Sequence, residues 1–187
     1  MAQKRKNWNS LMSGFKASDL VFLDESGCNT DMTRRYAYSL GGSRAVDSAP
    51  LSKPKNTTIL SSIQLNGTLH YTTFSGGTTV ERFKRYLETD LLPHLNGNSV
   101  LVMDNIKSHH AKAVKNLLDS SGVRYIYLPP YSPDLNPIEK LWSKVKSFLR
   151  KFKARTLDAL PNAIQHDFQT VSPSDCSGWF KFCDYLH

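Results

Sequence analysis

Two stretches of this chain share one design: LVFLDE at 20–25 and VLVMDN at 100–105. In each, four apolar residues run together and close on an aspartate. Such a run is too short for a helix and suits a strand buried on both faces. If the two strands lie side by side and parallel, Asp24 and Asp104 emerge at the same sheet edge. Neighbouring strands are about 4.8 Å apart, so the two carboxylates are then close enough to share a divalent cation. Open α/β sheets bind ligands in the crevice at strand carboxyl ends. The plainer alternative is that each aspartate only closes a turn.

The rest of the chain fills in a sheet around this pair. RRYAYSL (34–40), NTTILSSIQL (56–65) and TLHYTTFS (68–75) read as strands, the last two joined through Asn66-Gly67, a strong hairpin signal. Residues 41–55 read as a loop. Val80, Phe83, Leu87 and Leu91 form one stripe of a helix spanning 79–95. A helix through 109–120, a strand over 123–128 and helices over 137–153, 156–170 and 173–186 follow. Antiparallel strands and then β-α-β-α predict an α/β fold, a mixed sheet with helices packed on it.

Composition narrows the partners. The chain has 187 residues and a net charge of +8, with a pI of about 9.4, which favours a polyanion. Seven of the basic residues fall between Lys140 and Arg155, with no acid among them. No apolar stretch approaches the ~18 residues of a membrane span, so no membrane partner is expected. The lead-in lacks an apolar core behind its KRK, so nothing marks secretion. That KRK could be a localisation signal, but a solvated tail is the simpler reading. Three cysteines without paired zinc spacing suggest buried thiols in a reducing, cytoplasmic setting.

LPPYSPDLNPIEKLWSKVK (128–146) fixes the start of a helix with four prolines. Asn136 suits the N-cap, Pro137 the first helical position and Glu139 the third, close to a capping box. A role as a cap therefore competes with any chemical role for Glu139. At about 100° per residue, Ile138, Leu141, Trp142, Val145, Phe148, Leu149 and Phe152 form the buried stripe. Glu139, Ser143, Lys146 and Arg150 line one flank of it, and Lys140, Lys144 and Lys151 fall on the solvated side. Glu139 thus borders the core beside cations suited to phosphate. Three carboxylates of this kind make a site for hard divalent cations.

FLDESG, MDNxxxH and LPPYSPDLNPIE, taken together, resemble the catalytic domain of DDE-type transposases. The group is mariner-related, includes many bacterial insertion-sequence enzymes, and has a ribonuclease-H-like fold, which implies a mixed five-stranded sheet flanked by helices. The likeness runs from about Asp19 to the C-terminus, and thirty-four residues (105–138) separate Asp104 from Glu139, as in one branch of the group. It implies that Asp24, Asp104 and Glu139 are catalytic and bind Mg²⁺ or Mn²⁺, two ions in all, with Asn105 and His109 in support. Asn105 could orient water or phosphate, or simply end a strand. His109 could contact phosphate, move a proton or serve structure. His110 is off the motif position. Glu25 should point away from Asp24 by strand alternation and reads as a supporting or structural residue.

The same likeness implies DNA hydrolysis at transposon ends followed by transfer of the freed 3′-OH into target DNA. Double-stranded DNA is the expected partner, with Lys146, Arg150 and Lys153 on its phosphates and a dimer assembling on it. A bacterial, cytoplasmic, nucleoid-associated protein is expected. Members of this group usually carry N-terminal helix-turn-helix domains. Here only some 18 residues precede the first strand, so residues 1–18 are expected to be a linker remnant and 19–187 the catalytic domain alone. Rival readings are a phosphoaspartyl protein, an inactive or repurposed DNA-binding module, and a structure-specific nuclease of the same fold.

Overall fold

The computed structural model describes residues 2–34, 36–48, 50 and 54–186, with backbone alone for Ala2, Gln3, Lys4 and Lys6. Two of the KRK side chains, Arg35 and part of the 41–55 loop thus lie outside the described residues. Five strands form one mixed sheet: β1 (Leu20–Asn29), β2 (Asn56–Gln64), β3 (Leu69–Ser75), β4 (Val100–Met103) and β5 (Arg124–Tyr127). Their spatial order is β3-β2-β1-β4-β5. β1 is antiparallel to β2 and parallel to β4, and β4 is parallel to β5. The hairpin between β2 and β3 turns at Asn66-Gly67, where Gly67 has φ +88° and a Cβ would stand 3.1 Å from the backbone of Pro173.

Among the described residues six α-helices cover both faces: α1 (Ala2–Met12), α2 (Val80–Tyr86), α3 (Lys112–Ser121), α4 (Ile138–Phe152), α5 (Ala159–Phe168) and α6 (Pro173–Phe182). Alternation along β1 divides the core in two. Leu20 and Phe22 pack with α1, α4, α5 and α6, while Val21 and Leu23 pack with α2 and α3. By that parity Asp24 belongs to the α4 face and Glu25 to the α2–α3 face.

Four segments differ in secondary structure from the expectation. RRYAYSL is not a strand: Tyr36, Tyr38 and Leu40 are exposed and the described part of the run has no partner strand. Its alternating aromatics imitate a strand, but β2 and β4 already occupy both edges of β1. That strand instead continues past Asp24 to Asn29, since β2 pairs with it as far as Asn56. The helix expected over 79–95 is α-helical only to Tyr86, then widens into a π turn (Leu87–Leu91) and tightens into a 3-10 turn (Leu92–His94). Pro93 lacks an N–H and its ring clashes with the carbonyl four residues back, which breaks a regular α ladder there. Finally, the polar lead-in is α1. Its Trp8 and Met12 are buried at a four-residue spacing, and Trp8 Nε1 donates to Tyr185 Oη at 3.1 Å.

Helix α4 has the expected stripe, with Ile138, Leu141, Trp142, Val145 and Leu149 buried. Phe152 is exposed and stacks on Phe148 instead. Lys140 and Lys144 are not on a free solvated face, because α6 packs there. Lys144 Nζ donates to Thr170 O and Asp175 Oδ2, both at 3.0 Å, and Lys140 Nζ sits 3.4 Å from the Phe182 ring centroid.

Candidate active site

The parallel pairing of β1 with β4 matches Leu23 with Met103. The next residue in each segment is the aspartate, Asp24 within β1 and Asp104 just past the end of β4, so the two stand at the same level of the sheet. They line one cavity of about 530 Å³ together with Asn105, Asn136 and Glu139. The opposite wall is the proline segment, Leu128 to Pro133. Stiff residues at that position fix where α4 begins and hence where Glu139 stands relative to the two aspartates.

Asp24 is the most buried of the three acids, 7% exposed. Its Oδ2 accepts a hydrogen bond from Trp142 Nε1 at 3.1 Å. Burial drives its carboxyl up to about 7; the Glu25 backbone and Trp142 pull the other way, and the charges of Asp104 and Glu139 add to the rise. The three acids thus repel one another across shared space, an electrostatic situation that a bound cation relieves. All three offer hard oxygen donors, which suits Mg²⁺ or Mn²⁺. Among the described residues no group of three or more such side chains is already arranged around one point. The acids share a cavity rather than a finished ligand cage.

The capping box at α4 is not formed. Pro137 already has helical angles, no side chain caps the helix, and Glu139 N bonds the backbone carbonyl of Asn136 at 3.1 Å. Asn136 is instead buried against the cavity, 3% exposed, and its Oδ1 has no hydrogen-bond partner among the described residues. Read from sequence as a cap, it is a cavity residue that the sequence did not reveal.

Asn105 lines the cavity mouth and its Oδ1 contacts His110 Nε2. His109 lies behind Asp104 and is fully buried, stacked on Phe83 with ring centroids 4.1 Å apart. That burial keeps it from contact with phosphate. Its Nδ1 faces Asp104, 2.7 Å from the side-chain Oδ1 as an ion-pair contact and 3.3 Å from the main-chain carbonyl, and its Nε2 lies 3.7 Å from Glu25 Oε2. That last separation is likewise an ion-pair contact and not a hydrogen bond; neither of those two atoms has a hydrogen-bond partner among the described residues. Burial pulls the imidazole down, but the contacts with Asp104 and Glu25 outweigh it and raise His109 to about 9.

The basic residues expected to meet DNA are spread along α4. Lys146 is half-buried and acts electrostatically on Cys28. Arg150 is exposed and lines a second surface cavity with Asp31 and Tyr36. Lys153, in the left-handed conformation that ends α4, pairs with Asp47. They do not line the carboxylate cavity.

Residues 19–161 match the family model described as DDE superfamily endonuclease. The chain belongs to that family. This DDE endonuclease chain is 27% identical over 97 residues to the Tc1 transposase of Caenorhabditis elegans, covering 50% of this chain and 36% of that protein. It is 31% identical over 75 residues to an uncharacterised 39 kDa protein of insertion element IS630 from Shigella sonnei, covering 39% and 22%. It therefore spans about a third or less of the length of these two relatives. In fold it is similar to the Mos1 transposase in a paired-end complex with a left transposon end, with a TM-score of 0.82 at 20% identity over 97% of this chain and 58% of that one. The isolated Mos1 mariner catalytic domain matches with a TM-score of 0.73 at 16% identity, covering 98% and 88%. The ribonuclease-H-like fold expected from sequence is the fold of this DDE endonuclease.

Proposed function

We propose that this chain is the catalytic domain of a DNA transposase, cutting phosphodiester bonds at the ends of a mobile element and joining the freed 3′-OH to target DNA. The observation that carries the reading is the in-register parallel pairing of β1 and β4, with Asp24 and Asp104 at one level and Glu139 across the same cavity.

Asp24, Asp104 and Glu139 would hold the divalent cations, Mg²⁺ or Mn²⁺ and two in number. Mos1 structures with Mn and with Mg support that choice of metal. When bound there, such cations would supply Lewis-acid stabilisation of phosphodiester cleavage. The chain itself supplies orientation. Trp142 fixes one oxygen of Asp24, the proline wall fixes the start of α4, and the closed side of the cavity excludes bulk water from the buried Asp24. Lys146, Arg150 and Lys153 would bind backbone phosphates, which position DNA without reading sequence. A dimer would assemble on that DNA; the Mos1 paired-end complex with a left transposon end supports DNA as the partner and a paired-end assembly. Among the described residues no helix is long and apolar enough to cross a membrane.

The test is a supercoiled-plasmid assay at low salt with Mn²⁺ or Mg²⁺. Nicking that disappears with EDTA, followed by covalent joining of a supplied 3′-OH end, is the expected result. Nicking without joining points to a nuclease, and binding without nicking to an inactive DNA-binding module.

A further inference from the structure

Glu25 is next to a catalytic acid in sequence but on the other side of the sheet in space. The parity of β1 sends Asp24 toward α4 and the cavity, and Glu25 toward α2 and α3. There Glu25 meets His109, whose other ring nitrogen is 2.7 Å from Asp104 Oδ1. Two further contacts hold the ring and its backbone. Phe83 stacks on it at 4.1 Å, and Tyr127 Oη donates to the His109 carbonyl at 3.0 Å. β5 is paired with β4 so that Tyr127 stands beside Met103, the residue before Asp104.

Burying a polar ring between two acids costs desolvation that an apolar residue stacked on Phe83 would avoid. What the ring supplies is orientation. Asp104 is partly exposed, with its side chain at 32%, and sits past the end of β4, so the strand alone does not fix its rotamer. Groups that hold metal-ligating carboxylates by hydrogen bonds commonly matter ten- to a hundredfold for metal affinity.

We infer that Glu25 and His109 form a positioning pair for Asp104, locking one carboxylate oxygen from behind so that the carboxylate is presented to the cation site. The inference rests on the reading of Asp104 as a cation ligand. The Asp24-Glu25 dipeptide then serves both strand acids, Asp24 by being one and Glu25 by bracing the imidazole that orients the other.

The experiment is Mn²⁺ titration of the full chain without DNA, with free ion followed by electron paramagnetic resonance, beside thermal melting of the metal-free protein. His109→Asn places its amide near the position of Nδ1 and keeps a donor for Asp104. His109→Gln places it near Nε2 and does not. His109→Gln should weaken Mn²⁺ binding about ten- to a hundredfold, while His109→Asn keeps most of the affinity. Glu25→Gln should weaken it less than His109→Gln, and should add nothing once His109 is Gln. A role in packing alone predicts no such order, because the smaller Asn would then do worse on Phe83. If His109→Gln fails to fold, Glu25→Gln carries the test, and unchanged affinity there overturns the inference. Asp104→Asn is the control. Lost affinity in Asp104→Asn with wild-type affinity in both His109→Gln and Glu25→Gln overturns the positioning pair alone. Wild-type affinity in Asp104→Asn removes the cation role of Asp104, and the pair with it.

Discussion

Trp142 Nε1 donates to Asp24 Oδ2 at 3.1 Å, a bond between α4 and β1 that joins residues 118 positions apart. It ties the helix carrying Glu139 to the strand carrying Asp24. Trp142→Phe keeps most of the packing and removes the donor. Hydrogen bonds to charged groups contribute about 1.5–3 kcal/mol, so the variant should lose stability of that order at pH 8, where Asp24 is ionised, and less at pH 5. Mn²⁺ affinity should fall as well. Denaturant melts at the two pH values check the first claim, and equal losses at both would argue that only packing was removed.

Asp24 makes a pH prediction with a definite sign. Its carboxyl is raised from an ordinary value of 3.8 to about 7, chiefly by burial. A carboxyl raised in the folded state favours folding while protonated, and that contribution is lost as pH climbs from about 4 through 7. At ~1.4 kcal/mol per pH unit, the loss reaches on the order of 4 kcal/mol by pH 8. Asp24→Asn is neutral at every pH and should therefore melt above the wild type at pH 8 in EDTA, with the gap closing near pH 4. It should also abolish metal-dependent cleavage. Calorimetry across that range tests this directly, and a variant less stable than wild type at pH 8 would contradict it.

Much of this arrangement was legible in the sequence because it rests on local signals. The apolar runs before Asp24 and Asp104 mark buried strands, Asn66-Gly67 marks a hairpin, and the stripe from Ile138 to Leu149 marks α4. What escaped depends on contacts between distant residues. Trp8 in a polar lead-in becomes a core residue only through Tyr185. Asn136 fits a cap by sequence, but Pro137 enters the helix without needing one. Tyr36 and Tyr38 alternate like a strand, yet both edges of β1 are taken. The link from Glu25 through His109 to Asp104 joins β1 to the β4–α3 connection; the MDNxxxH spacing puts His109 near Asp104, but no spacing rule brings in Glu25.

DNA binding should be dominated by phosphate contacts and fall steeply with salt. Arg150→Ala and Lys146→Ala should each weaken binding to any duplex alike, and each should lower the salt slope by about one for every phosphate left without its cation. Lys153 pairs with Asp47 on the surface, where solvent screens an ion pair, so it is available to DNA at small cost. Fluorescence anisotropy over a salt series, on element-end and random duplexes, gives the slopes. Tight binding that resists salt and discriminates between those duplexes would place recognition elsewhere.

Glu139→Gln tests the central claim, that the proline-braced carboxylate on α4 completes a site with Asp24 and Asp104. No side chain caps α4, the buried stripe is untouched, and Gln matches Glu in size, so the melting temperature should stay within about a degree or two of wild type. Losing one hard anionic donor should reduce Mn²⁺-dependent plasmid cleavage by orders of magnitude. Melting and cleavage are measured on the same preparation. A folded, inactive Glu139→Gln protein is the predicted result; a folded protein that cleaves at the wild-type rate would remove Glu139 from the site.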